Sequence, residues 1–149
     1  MSYTSRKTQA IINLSALKSN YQLIDSLSHN SATIAVIKAD AYGHGSVDIA
    51  ISLDELVPAF AVAFIDEAII LRDAGIKSPI LILEGSLSEE DFTFAVQHNF
   101  WLMLHNHEQV THLQNLKKPY RGKLWLKIDT GMHRLGFMPS EVSEMIVKV

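Results

Sequence analysis

The chain has 149 residues, 48% of them hydrophobic, and a formal net charge of −3. That is enough apolar content for one buried core, and the charge offers no basic footprint for nucleic acid. With no cysteine there is no disulfide framework, and no thiolate for a metal or for nucleophilic attack.

The opening segment Met1-Ser2-Tyr3-Thr4-Ser5-Arg6-Lys7 is polar and lacks the apolar core of a signal peptide. No later apolar run is long enough to span a bilayer. The expectation is a soluble, cytoplasmic protein with no nucleic-acid or membrane partner. Leu14, Leu17, Tyr21, Ile24 and Leu27 then form a helical stripe, with Ser15 as the expected N-cap. A near-continuous apolar run over 33–38 ends at Lys38 and gives way to Ala39-Asp40-Ala41-Tyr42-Gly43-His44-Gly45, whose glycines let the backbone turn into a helix. A second run covers 59–64. A helix over 66–74 follows and is stopped by Gly75. The run 79–83 leads to Ser88 and the acids Glu89, Glu90 and Asp91, placed for a helix N-terminus. The run 100–104, a helix over 106–116, the run 123–128 and a helix over 140–149 introduced by Pro139 complete the chain.

The apolar runs start at 33, 59, 79, 100 and 123, roughly 20–26 residues apart. That spacing suits βαβ crossovers and is too long for hairpins. Near-continuous apolar character predicts strands buried on both faces of a parallel sheet, hence an α/β fold with right-handed connections. No residue-level repeat between units is evident. Five strands fit an open flavodoxin-like sheet, or the first five or so units of a (β/α)8 barrel, which typically needs about 250 residues. Length favours the open sheet; the motifs favour the barrel.

Lys38 leaves an apolar strand at its carboxyl end, where α/β proteins place their chemistry. Apolar surroundings favour the neutral amine, which condenses with aldehydes. Tyr42 and the amides of the glycine loop suit a phosphate. The plainer reading is a strand-end lysine that snorkels to solvent before an ordinary turn. A second segment, Lys127-Ile128-Asp129-Thr130-Gly131-Met132-His133-Arg134-Leu135-Gly136, again sets a lysine near a strand end with an arginine beyond a glycine turn. Lys127 and Asp129 can share a face of the sheet. Arg134 has the planar donor fork that suits a carboxylate or phenolate. The plainer reading here is a Lys127–Asp129 ion pair with Arg134 solvated.

Together the segments Val36-Ile37-Lys38-Ala39-Asp40-Ala41-Tyr42-Gly43-His44-Gly45 and 127–136 resemble the two signatures of the alanine racemases, in the family's order and separation. The opening Ile11-Ile12-Asn13-Leu14-Ser15-Ala16-Leu17 and the strand Pro79-Ile80-Leu81-Ile82-Leu83-Glu84-Gly85 fit as well. The resemblance covers nearly the whole chain and implies a TIM-like barrel. Residues 1–149 would be the N-terminal part of the domain that binds pyridoxal 5′-phosphate (PLP), with the C-terminal β domain outside the chain. It implies that Lys38 carries PLP and is one of two catalytic bases, acting on the D-alanine side. Tyr42 would bind the PLP phosphate. Arg134 would contact the phenolic oxygen of the cofactor and the substrate carboxylate, and Lys127 would match a lysine often carbamylated in the family. The opposite-face tyrosine would come from the partner subunit of a homodimer, so this chain alone is expected not to racemise alanine efficiently. Another PLP-dependent amino-acid racemase and a non-catalytic half-barrel are the alternatives.

Other signals point to structure. His105, His107 and His112 read as a surface cluster at a helix start rather than a metal site. His44 reads as a hydrogen-bonder that orders its loop. Glu89-Glu90-Asp91 reads as a solvated helix start, and Trp101 and Trp125 as packing residues.

Overall fold

The structure is a computed structural model and describes residues 8–149; the polar opening 1–7 lies outside the described residues. Five short strands form one parallel sheet: β1 (Ala35–Val36), β2 (Phe60–Val62), β3 (Ile80–Ile82), β4 (Phe100–Leu104) and β5 (Leu124–Leu126). Their spatial order is β1-β2-β3-β4-β5, each strand beside its sequence neighbour. A flavodoxin-like sheet doubles back at a switch point. This one advances in a single direction, as the wall of a barrel does, and leaves β1 and β5 as its two edges. The fold is a partial TIM-like barrel.

Helices α1 (Leu14–Leu27), α3 (Ser46–Leu53), α4 (Ile65–Asp73), α5 (Glu89–Gln97), α6 (His107–Gln114) and α7 (Val142–Lys148) surround the strands, with a 3-10 turn at Pro139–Glu141. α1 begins at Leu14, where the stripe begins, and its cap lies two residues before the expected one. Asn13, extended at φ −94 and ψ 95, accepts the Ala16 amide at 2.9 Å, so the cap is Asn13 and Ser15 lies inside the helix. Gly75 (φ +89) does end α4, and Ser88 and Asn106 cap α5 and α6. No helix among the described residues is long and apolar enough to cross a membrane.

The sheet has two unlike faces. Ile37, Phe60, Val62, Ile80, Ile82, Phe100, Leu102 and Leu104 turn toward the helices and join one core with Ala68, Leu71, Phe92 and Phe137. By strand alternation Val36, Ala61, Leu81, Trp101 and Trp125 belong to the other, lumenal face. Ala61 and Leu81 are buried there, whereas Val36 is 47% and Trp125 37% exposed. Two-sided burial therefore holds for β2 and β3 only. Trp101 and Trp125 stack at 6.0 Å between ring centroids, and the Lys123 ammonium sits 4.0 Å above the Trp101 ring. Both tryptophans pack against each other and against a cation, as a lumenal layer.

Candidate active site

Lys38 stands one residue past the last ladder bond of β1, in which the Ile37 amide donates to Ala61 O at 2.9 Å. It is half-buried. The chain then does something the sequence does not announce. Through Lys38–Gly43 (α2) the backbone makes a left-handed turn, with Ala39, Asp40, Ala41 and Tyr42 all at φ between 50 and 56 and ψ between 38 and 49. Non-glycine residues pay about 1–2 kcal/mol each for that conformation, so surrounding contacts must impose it.

Several contacts do. The Ala39 amide donates to Glu67 Oε1 at 2.6 Å. Glu67 Oε2 meanwhile accepts the amides of Ala63 (2.6 Å) and Phe64 (3.2 Å) beyond β2. Ala41 donates to Ile37 O and is itself 7% exposed, so the turn also buries a methyl group. His44 Nδ1 lies 2.8 Å from Ala41 O, the loop-ordering role expected of it. Asp40 Oδ1 accepts the Ser46 amide at 2.7 Å, and the Gly45 amide donates to Asp40 O. These last bonds correct one expectation. The amides of His44, Gly45 and Ser46 are occupied within the turn and do not point outward as a phosphate cradle. The Tyr42 side chain is 65% exposed.

Lys127 ends the opposite edge. Its amide donates to Leu104 O at 2.8 Å, continuing the β4–β5 ladder, and alternation from Lys123 and Trp125 puts it on the lumenal face. The segment after it folds back: the Phe137 amide donates to Lys127 O and the Asp129 amide to Phe137 O, both at 2.9 Å. Gly136 makes this possible. At φ +116, a Cβ there would lie 2.8 Å from the Asp129 amide and 3.1 Å from Lys127 Cγ. The stem of Lys127 therefore packs beneath the loop that carries Arg134.

Asp129 does not pair with Lys127. Its carboxylate accepts the amides of Gly131 and His133, each at 3.0 Å, and meets His133 Nδ1 at 3.0 Å. Hydrogen bonds from Gly131 and then from His133 hold its carboxyl below the usual carboxylate range. The aspartate shapes the turn, and Arg134 stands exposed with no ion pair among the described residues. The sheet order puts Lys38 and Tyr42 on one rim of the mouth, and Lys127 and Arg134 on the other.

The histidines do not form one surface cluster. His107 is exposed and meets Glu141 at 2.9 Å. His105 Nε2 lies 3.0 Å from Glu84 O, tying the end of β4 to the loop after β3. Beside it Gln109, only 2% exposed, accepts the His105 amide at 2.8 Å and donates to Glu84 O (2.8 Å) and Ser86 O (3.1 Å). Gly85 lets Gln109 approach, since a Cβ there would lie 2.6 Å from Gln109 Nε2. Neither Glu67 nor Gln109 stood out in the sequence. The available signal is their place, each three residues past a helix N-cap, where long polar side chains fold back on the chain.

Comparison with known proteins bears on this arrangement. The sequence profile described as "Alanine racemase, N-terminal domain" matches residues 12–149. An alanine racemase of Alteromonas mediterranea is 46% identical over 144 residues, covering 97% of this chain and 40% of the relative. One from Haemophilus influenzae is 47% identical over 133 residues, covering 89% of this chain and 37% of the relative. Among solved structures, the biosynthetic alanine racemase of Pseudomonas aeruginosa superimposes with a TM-score of 0.83 at 34% identity, covering 91% of this chain and 38% of that one. The chain thus spans about two fifths of the length of these relatives.

Proposed function

The chain belongs to the alanine racemase N-terminal domain family, and from that premise we propose that it forms the cofactor-binding rim of a PLP-dependent alanine racemase. In this reading residues 1–149 are the first part of the barrel domain. The whole enzyme is a cytoplasmic homodimer that interconverts L- and D-alanine for cell-wall precursor supply.

The chemistry of the donor set supports PLP as the cofactor. A half-buried primary amine matches an aldehyde. An exposed phenol at Tyr42 and an exposed guanidinium at Arg134 match a phosphate and a phenolate. Lys38 would hold the group through Nζ, Tyr42 through its hydroxyl and Arg134 through its guanidinium. When bound, PLP supplies the electron sink that makes the α-proton of alanine acidic.

The chain's own residues do the rest. Lys38 Nζ takes or returns the proton at alanine Cα on the face that corresponds to D-alanine, and Arg134 orients the substrate carboxylate. Lys127, held under the Arg134 loop by Gly136, gains an anionic head if its amine adds carbon dioxide and releases a proton. A like-charge neighbour of Arg134 then becomes its charge-assisted partner. The second base, for the opposite face, is assigned to a tyrosine of the β domain of a partner subunit.

The observation that carries this reading is the forced left-handed turn immediately after Lys38, strain of the kind that accumulates at functional sites. Its test is borohydride reduction of the purified protein with PLP, followed by peptide mapping. Pyridoxyl is expected on Lys38. Label on another lysine, or none, refutes the assignment. Turnover of alanine against serine and other amino acids separates this specificity from that of a related racemase.

A further inference from the structure

A repeat hidden in the sequence becomes visible in the bonding of the helix starts. In α4, α5, α6 and the 3-10 turn, the residue three past the N-cap is Glu67, Asp91, Gln109 and Glu141. Each accepts an amide at its own helix start. Glu67 takes Ala63 and Phe64, Asp91 takes Leu87 and Ser88, Gln109 takes His105, and Glu141 takes Met138. The three long side chains do a second thing: each reaches back to the preceding βα unit. Glu67 holds the Ala39 amide, Gln109 the carbonyls of Glu84 and Ser86, and Glu141 the His107 ring. Asp91, shorter by one methylene, caps its own helix and makes no such bond. Three of the four junctions between successive units at the rim of the mouth are therefore laced by side chains at one equivalent position.

Only the Glu67 latch lands beside the amine at β1. It fixes the N–H of the peptide joining Lys38 to Ala39, at the entry to four consecutive left-handed residues. The same carboxylate is anchored by two amides of the loop after β2, so it cannot swing away without uncapping α4. A carboxylate acceptor makes these bonds stronger than neutral ones. The orientation of the Lys38–Ala39 peptide determines where the strand ends and in which direction the Lys38 side chain leaves it.

We propose that Glu67 is the positioning residue for Lys38, holding its amine in the mouth by pinning the following peptide; this rests on reading Lys38 as the cofactor lysine. In Glu67→Gln one oxygen becomes an NH2 that accepts nothing; the oxygen that remains satisfies the two anchor amides in preference to the single latch amide, so the latch is lost. Glu67→Asp copies Asp91 and keeps the cap without the reach. Asp91→Asn is the control, perturbing an equivalent cap that latches nothing.

Two measurements follow on the purified full chain. In the cofactor-free protein, hydrogen exchange at the Ala39 amide accelerates roughly tenfold or more in both Glu67 variants, the scale expected for loss of a hydrogen bond to a charged group. Amides of Ile80–Ile82 in β3 stay protected and report an intact fold. With PLP and borohydride, the PLP concentration giving half-maximal pyridoxyl at Lys38 rises about tenfold in both Glu67 variants and is unchanged in Asp91→Asn. Equal labelling in the Glu67 variants and the Asp91→Asn control, or an Ala39 amide that exchanges at the wild-type rate, overturns the proposal. A wild-type protein that takes no label at Lys38 sinks the cofactor reading itself and, with it, the functional role of Glu67. The exchange data then still report whether the latch exists, so the two failures are distinct.

Discussion

Replacing Gln109 by methionine removes three hydrogen bonds and almost no volume. The side chain is 2% exposed. Its Oε1 accepts the His105 amide at 2.8 Å, and its Nε2 donates to Glu84 O at 2.8 Å and Ser86 O at 3.1 Å. Glu84 O keeps a partner, because His105 Nε2 lies 3.0 Å away. The His105 amide and the Ser86 carbonyl lose theirs in a covered place, at about 1.5 kcal/mol each. The thioether returns about 1 kcal/mol as newly buried apolar surface. The expected net loss is about 2 kcal/mol. With a urea dependence of about 2 kcal/mol per molar for a chain of this size, the midpoint should fall by about 1 M. Urea unfolding followed by Trp101 and Trp125 fluorescence and by circular dichroism measures this, and coincident curves establish a two-state transition. Gln109→Glu should fall further, since it turns the donor into a carboxylate facing two carbonyls. A methionine variant whose midpoint stays within about 0.2 M of wild type, at unchanged slope, would refute the view that this network joins the units.

Tyr120 lies against Phe92 with its hydroxyl buried and without a hydrogen-bond partner among the described residues, and burial pushes its phenol up to about 12. A folded pKa above the unfolded value of about 10 means that the fold loses no stability to this group's ionisation below about pH 10 and loses it as pH rises from about 10 toward 12, and a buried hydroxyl without a partner costs desolvation at any pH. Tyr120→Phe should therefore raise the urea midpoint at neutral pH, by the equivalent of about 1 kcal/mol, and flatten the alkaline loss; a lowered midpoint would show that the hydroxyl has a partner. Asp129 has the opposite sign. Hydrogen bonds from Gly131 and His133 depress its pKa, so its contribution is present above the unfolded value of about 3.9 and is lost as pH falls through the lower folded value. In Asp129→Asn the midpoint should lose part of its acid dependence below about pH 4. Identical pH profiles for variant and wild type would remove the aspartate from the turn.

Much of this protein was legible in one dimension. Apolar runs located all five strands, because burial between layers requires continuous hydrophobic character whatever the neighbours are. Gly75 and Ser88 marked helix ends correctly, because capping depends on atoms within a few residues, though the cap of α1 is Asn13 and not Ser15. Both lysine segments stood out for the same reason: a cation at the end of an apolar strand is unusual wherever it occurs. What sequence could not decide depends on residues far apart in the chain. Ala39, Asp40, Ala41 and Tyr42 are ordinary right-handed residues by local preference. Their left-handed turn is imposed in part by Glu67, 28 positions away. Gln109 and Glu141 likewise act on partners 25 and 34 positions distant, which is why the repeat at the helix starts is invisible in sequence, and why His105, His107 and His112 read there as one surface cluster. Local pattern sets which segments become strands and helices; only the packing of adjacent units decides which side chain reaches across, and so how the lysine at β1 is held.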